Sequence, residues 1–485
     1  MKIMISFPPI PDAKGTPMLG QNRQFQYFHN PSYIYPMVPA SAASLLSREG
    51  FEVIWNDCIA QQRTYEQFLE GFKKEKPDII AMETKTPVVR KHWRIIEDLK
   101  KIYPACKVVL MGDHVTALPQ ESMLNSKADY IITGGDYDFL LLNIVRQLSG
   151  KTELEQGIYY REKDEIKNTG SFELNHDLNS LPYIDRELTQ WNLYGEKLYK
   201  GTPFTYTMAG RDCFWAKCKF CSWTTLYPRF RVVSVERFLD EVGILINKYG
   251  VKEIFDDTGT FPGGKWLEKF CNGMIERGYN KKIYFSCNFR FDCLTLERAK
   301  LMKKAGFRLL KLGLESANSD TLKRIDKGST VEDIIKGCKI TKNAGLTVHL
   351  TMMVGYPWEN KEAATRTFNL AKNLMTNGYA AMLQSTVVIP YQGTPFYREA
   401  VENNWFAVSP GDYEKFDMSA PVLNTPDMSA DEIMKLCDSI YKVFLHPKFV
   451  MHHLLKIRSF EDIAYLFRGV KPVLGHIKDF MRISK

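Results

Sequence analysis

The sequence predicts an α/β protein: a doubly wound parallel sheet, then a partial (β/α)6 barrel, then a mainly helical C-terminal region. Three observations predict it. Short apolar runs alternate with amphipathic segments over residues 1–150. The alternation lapses over 151–202 and returns as six regular strand–helix units over 203–395, leaving 396–485 as the helical end. A run of three cysteines, Cys213, Cys218 and Cys221, follows the first strand of the second series.

In the first series, Lys2 to Phe7 reads as a buried strand stopped by Pro8-Pro9, and Ala40 to Arg48 as a helix closed by Gly50. Strands follow at Phe51 to Trp55, Asp78 to Met82, Lys107 to Met111 and Asp129 to Thr133. Helices alternate with them at Tyr65 to Lys74, Lys91 to Ile102 and Phe139 to Leu148. Such alternation makes a parallel sheet with helices on both faces and ligands at the carboxyl ends of its strands. Three loops fall there: Glu83-Thr-Lys-Thr-Pro87, Met111-Gly-Asp-His-Val-Thr116 and Thr133-Gly-Gly-Asp-Tyr-Asp138. Their glycines let a backbone approach a ligand closely, or simply close a tight turn.

Residues 151–202 are polar and turn-rich, a linker that packs on its neighbours. Beyond it, strands are expected at Phe204 to Met208, Glu253 to Phe255, Ile283 to Ser286, Leu309 to Leu314, Thr347 to Val354 and Met382 to Ile389. Helices are expected between them at Val235 to Lys248, Lys265 to Arg277, Leu296 to Lys304, Val331 to Asn343 and Lys361 to Met375. A barrel keeps its chemistry at the carboxyl ends of its strands, which is where the cysteine loop lies.

Composition excludes several classes. The 485 residues are 45% apolar and 25% charged, ordinary for a globular chain with two or three domains. No apolar run is long enough to span a bilayer. The net charge of +9 is modest for this length, so nucleic acid is not an expected partner. Most of the excess lies from Lys442 onward, where nine Lys/Arg face three Asp/Glu. That stretch reads as a solvated helical face or as a surface for an anionic lipid or acidic substrate. Ten cysteines without a secretory signal fit a reducing cytoplasm.

The C-x4-C-x2-C run supplies three closely spaced thiolates. Three thiolates hold three irons of a cubane and leave the fourth open to a second molecule. A structural zinc knuckle is the alternative, but zinc in such sites takes four protein ligands. No His lies between His176 and His349, and the next cysteine is Cys271.

The cysteine loop, the six strand–helix units and the preceding doubly wound domain together resemble the cobalamin-dependent radical SAM enzymes, over roughly residues 1–400. The resemblance implies an N-terminal Rossmann-like cobalamin-binding domain (1–150), a radical SAM partial barrel (203–395), and a 4Fe–4S cluster on Cys213, Cys218 and Cys221. It implies that the open iron chelates S-adenosylmethionine, whose reductive cleavage gives a 5′-deoxyadenosyl radical. The spacing departs from the commoner C-x3-C-x2-C by one residue. Phe220 matches the aromatic beside the adenine, Asp256 and Asp257 the residues near the methionine amino group, and Arg290 a partner for its carboxylate. For Asp257 a helix cap, and for Arg290 a surface salt bridge, are the plain alternatives. Glu315 and Ser316 fall in a G-x-E-S segment that meets the ribose. Gly112, Asp113, His114 and Thr116 match one loop around the corrin and its tail; Gly134, Gly135 and Asp136 match another. The D-x-H-x-x-G cobalt-ligand motif is absent, Asn56 to Gln61 having no His, so Thr84 to Thr86 are expected near the lower corrin face, with His114 as an amide or phosphate partner.

The activity so implied is methylation of an unactivated carbon, or of phosphorus, with two S-adenosylmethionine molecules used per turnover. The alternative within the family is a non-methylating cyclase or oxidoreductase of the anaerobic magnesium-protoporphyrin ester cyclase type. It is suggested by Pro447-Lys-Phe-Val-Met451 and Ile457-Arg-Ser-Phe-Glu461. A tRNA methylthiotransferase would need a second cysteine trio, and only Cys58 and Cys106 precede Cys213. A zinc-stapled binding module is the remaining class. The expected partners are a small-molecule, lipid-like or peptide substrate and an electron donor such as flavodoxin or ferredoxin, with peripheral membrane contact and a cytoplasmic location. Catalytic side chains, the substrate and the oligomeric state are not legible.

Overall fold

Alternate residues of the N-terminal strands feed two different cores. Ile3, Ile5, Ile79, Ala81, Val109 and Met111 face one, with the helices Met37–Arg48 and Tyr137–Leu148. Met4, Ile80, Met82, Val108 and Leu110 face the other, with Tyr65–Glu75 and Val89–Ile102. Period-two side chains that are apolar on both faces require helices on both faces, which is why the runs are continuously apolar rather than alternating. The computed structural model describes residues 1–19, 25–28, 31–163, 165–195, 199–455, 457, 462, 463 and 465.

The described strands are β1 (Lys2–Phe7), β2 (Thr16–Pro17), β3 (Tyr27–Phe28), β4 (Glu52–Asp57), β5 (Ile79–Glu83), β6 (Lys107–Met111), β7 (Tyr130–Ile132), β8 (Ile158–Glu162) and β9 (Glu165–Asn168). They continue with β10 (Phe204–Thr207), β11 (Gly210–Arg211), β12 (Arg231–Val232), β13 (Glu253–Asp256), β14 (Tyr284–Phe289), β15 (Phe307–Glu315), β16 (Thr347–Val354) and β17 (Met382–Val387). The first large sheet has the order β4-β1-β5-β6-β7-β8-β9. It is parallel through β7 and antiparallel beyond. The hairpin β8–β9 corrects the expectation of a plain linker over 151–202. Its strands are short and half-exposed, so neither shows a core-forming apolar run.

The second sheet, β10-β13-β14-β15-β16-β17, is wholly parallel and in sequence order, as a six-unit partial barrel demands. Its helices run Val235–Asn247, Gly264–Glu276, Leu296–Lys304, Val331–Asn343 and Lys361–Thr376, each within two residues of expectation. Capping fixes several of their starts: the side chains of Ser234, Thr295, Thr330 and Asn360 each accept from a backbone N–H in the first turn.

The C-terminal region is helical and irregular, with helices Pro395–Glu402, Ala430–Ser439 and Pro447–Leu454. Of the basic stretch, Lys442 and Lys448 are described. Lys456, Arg458, Arg468, Lys471, Lys478, Arg482 and Lys485 lie outside the described residues, as do residues 458–461 of the cyclase-like pattern. Among the described residues no helix is long and apolar enough to cross a membrane.

Candidate active site

The carboxyl ends of the two sheets are tied to each other. Thr86, in the loop after β5, donates to the side-chain amide oxygen of Gln392 at 2.9 Å, beyond the end of β17. Arg211, at the end of β11, donates to both oxygens of Asp138 at 3.2 and 2.6 Å. A Cβ on Gly393 would lie 2.8 Å from Ala117 Cβ, so the loops after β6 and β17 also touch. The loops at the carboxyl ends of the two sheets therefore lie against one another.

The cysteine loop is closed at its base by pairing of β11 with β12, and from there it runs out through Cys213, Cys218 and Cys221. All three are partly exposed and none forms a disulfide among the described residues. The extra spacer residue is absorbed by Ala216, which adopts a left-handed φ of 47°. Trp215 donates its indole N–H to the Asp326 carbonyl at 2.7 Å, and Lys219 N–H donates to the Ile325 carbonyl at 3.0 Å. Cys213 Sγ lies 3.0 Å from Thr260 Oγ1. Burial pushes the Cys218 thiol up to about 11, with Lys327 and Arg290 pulling the other way. Among the described residues no three His, Cys, Asp or Glu side chains converge on a single ion. A cubane binds its thiolates on separate irons, so it needs no such convergence.

Around this loop the barrel residues separate into two groups. Arg290 and Glu315 stand beside the cysteines. Arg290 is buried, pairs with Asp292 through both oxygens at 3.0 and 3.1 Å, and lies over Trp215 at 4.6 Å. It is not the surface salt bridge of the plain alternative. Glu315 sits at a bulge in β15 with φ 57°, which turns its carboxylate onto Lys327 Nζ at 2.7 Å. Phe220 is half-buried and packs against the barrel core.

The second group is engaged inside the protein. Asp256 is fully buried and accepts from Thr207 Oγ1, Ala209 N and Thr258 N; burial raises it to about 6 against those hydrogen bonds. It braces the loop ends of β10 and β13 through these hydrogen bonds. Asp257 is met by the Asn288 amide at 3.4 Å. Ser316 donates to Glu359 at 2.7 Å, in a buried network with Asn318 and Thr367.

In the first domain, Thr84 Oγ1 lies 3.0 Å from His92 Nδ1, and His114 Nδ1 lies 3.1 Å from Thr86 Oγ1. His114 is buried edge-on to Tyr413 with its other nitrogen 3.4 Å from Glu121, so its ring is a bridge within the protein. Asp113 lies 3.7 Å from the buried Lys85 ammonium, and Thr116 Oγ1 donates to the Gly112 carbonyl. Asp136 is claimed by Arg231, by Arg211 at 3.6 Å and by His176 at 2.9 Å. Gly134 and Gly135 are pressed by Phe172 and Tyr227. All three lie at the joint between the two domains, against neighbouring side chains.

Sequence reasoning missed Lys327, Arg211, Tyr227, Glu83 and Gln392. Each is isolated in sequence and gains meaning only from a residue on another element. Among the described residues, three buried polar atoms at the joint have no hydrogen-bond partner: Glu83 Oε2, Tyr137 OH and Gln392 Nε2. Burial raises Glu83 to about 7, with Lys85 opposing it. Such a set fits a large ligand rimmed with amide groups. Near the cysteines, the fully buried Tyr356 hydroxyl is likewise unpartnered among the described residues, and Glu315 and Cys218 both act on it electrostatically.

A radical SAM superfamily model matches residues 209–371, and a B12 binding domain model matches residues 31–139. The chain belongs to the cobalamin-dependent radical SAM enzymes. A 4Fe–4S cluster, S-adenosylmethionine and cobalamin are accordingly its cofactors. An uncharacterized methyltransferase of Pyrococcus horikoshii is 28% identical over 444 residues, covering 90% of this chain and 94% of its own. An anaerobic magnesium-protoporphyrin IX monomethyl ester cyclase of Cereibacter sphaeroides is 23% identical, covering 88% and 68%. The solved radical S-adenosylmethionine methyltransferase TsrM from Kitasatospora setae, with cobalamin and a 4Fe–4S cluster bound, superposes with a TM-score of 0.70 at 13% identity, over 99% of each chain. That likeness establishes the fold.

Proposed function

We propose that this enzyme methylates an unactivated carbon, or phosphorus, of a small-molecule, lipid-like or peptide substrate. The observation that carries the reading is the joint itself: Thr86–Gln392 and Arg211–Asp138 hold the B12-binding loops against the mouth of the radical SAM barrel. When bound, the cluster with S-adenosylmethionine supplies a substrate radical, and cobalamin supplies a methyl group. Cys213, Cys218 and Cys221 would hold the cluster; Glu315, Arg290, Lys327 and Tyr356 would position S-adenosylmethionine beside it. Glu83, Tyr137 and Gln392 would offer hydrogen bonds to corrin amides. The near-full-length likeness to the Pyrococcus methyltransferase supports methyl transfer. A flavodoxin or ferredoxin supplies the electron, in the cytoplasm.

Likeness over most of the chain to the magnesium-protoporphyrin ester cyclase supports a second reading, cyclisation or oxidation without methyl transfer. One experiment separates the two. The anaerobically reconstituted enzyme is given cobalamin, S-adenosylmethionine, reductant and candidate substrates, and both nucleoside products are quantified by mass spectrometry. Deoxyadenosine and S-adenosylhomocysteine rising together, only with cobalamin, support the methylase; deoxyadenosine alone supports the cyclase.

A further inference from the structure

Among the described residues, the helix Pro447–Leu454 leaves its apolar face exposed. Val450, Met451, Leu454 and the adjoining Leu455 are 39, 56, 57 and 65% exposed, while Phe449 is only 6% exposed. At about 100° per residue those four positions form one continuous stripe. Leu445, just before the helix, is 60% exposed and extends the patch along the chain. The inward side carries the two histidines: His452 lies against Gly378, and the His453 ring packs on Phe449 at 4.3 Å. This is the reverse of an amphipathic helix on a globular surface, which turns its apolar stripe to the core.

Cations flank the stripe. Lys442 and Lys448 are exposed on the same segment. The turn that touches His452 carries Tyr379, and Lys342 and Lys339 lie over that ring at 4.5 and 6.0 Å. In sequence, Lys456 and Arg458 follow the stripe directly.

We propose that this face docks on the surface of an anionic lipid bilayer, lying in the interface without crossing it. The chemistry selects that occupant. A protein partner is normally held by aromatic and arginine anchors seated in pockets. The stripe instead consists of aliphatic side chains and Met, with the exposed Lys442 and Lys448 on the same segment, and a lysine ammonium on its long stem can reach lipid phosphate. A second copy across a two-fold axis would bring Lys442 and Lys448 against their own counterparts.

The test is cosedimentation of the full chain with vesicles of phosphatidylcholine alone, or of phosphatidylcholine mixed with phosphatidylglycerol, at low and high salt. Binding is expected to the mixed vesicles, weakening with salt as surface charges are screened. Leu454→Glu with Leu455→Glu is expected to lower partitioning by more than about tenfold. Lys442→Glu with Lys448→Glu is expected to lower it about fivefold for each lysine removed. Both variants should keep wild-type circular dichroism and reconstituted iron content, since all four side chains are exposed. If the leucine variant loses iron, the lysine variant still decides the matter. Equal binding to neutral vesicles, or binding to neither, overturns the proposal. A wild-type dimer that the leucine variant makes monomeric, without vesicle binding, overturns it in favour of self-association.

Discussion

Arg211 forms a two-point ion pair with Asp138, the guanidinium and carboxylate both buried and separated by 2.6 Å at the closer contact. Arg211 stands at the base of the cysteine loop and Asp138 in the first turn of the helix Tyr137–Leu148, so the pair joins the cluster's support to the B12-binding domain. Arg231, on the return strand of the same loop, pairs with the neighbouring Asp136.

Removing Arg211 is expected to cost about 3–5 kcal/mol, because the Asp138 carboxylate stays buried and loses its cation. Arg211→Ala should therefore lower the denaturant midpoint sharply. Arg211→Met combined with Asp138→Leu should recover most of the loss in the same assay.

Stability should fall between pH about 6.5 and about 9 through His176. Burial alone would lower this histidine, but its hydrogen bonds to Asp136 and Glu155 outweigh that and hold it up at about 9. The unfolded chain titrates near 6.5. A raised folded value means the contribution is complete below the unfolded pKa and is lost as pH rises through the folded one. Thermal midpoints of wild type and His176→Gln should therefore differ at pH 6 and converge above pH 9.

Steric limits give a third prediction. A Cβ on Gly135 would lie 2.0 Å from the Tyr227 ring, and one on Gly112 would lie 2.1 Å from the Thr84 carbonyl oxygen at a φ of 133°. Gly135→Ala meets a side chain and should cost about 1–3 kcal/mol. Gly112→Ala meets backbone and a forbidden φ, so it should cost more. Denaturation of the two variants side by side checks the ranking.

Reconstituted wild type should carry about four irons and four sulfides per chain. Cys213→Ala, Cys218→Ala and Cys221→Ala together should remove them. Cys271→Ala, a buried thiol in the barrel core, should leave them in place. Zinc retention by wild type instead would show a structural knuckle.

Gln392→Leu should weaken cobalamin binding by about fivefold or more, the loss of one buried hydrogen bond. Absorbance titration of the apoprotein with hydroxocobalamin measures it. Unchanged affinity would leave Gln392 with only its bond to Thr86.

The chain's periodicities were enough to place most strands and helices to within a few residues, because a run such as Ile79–Glu83 is buried on both faces and admits no other register. The hairpin β8–β9 was not legible, since half-exposed strands leave no continuous apolar signal. The cysteine trio was legible because its ligands are local in sequence. Glu315 was legible as a residue but not in its partner, Lys327, twelve residues on across a helix.

The sequence by itself determined two α/β domains, their order, and the thiolates that can carry a cluster, since these follow from local period and spacing. Only the tertiary structure decided which loop residues face inward. Asp136, Asp256 and His114 carry the same side chains either way, but burial beside Arg231, Thr207 or Thr86 makes them braces. A charge or hydrogen bond is satisfied by whatever lies nearest in space, and long-range proximity is not written in the spacing of residues.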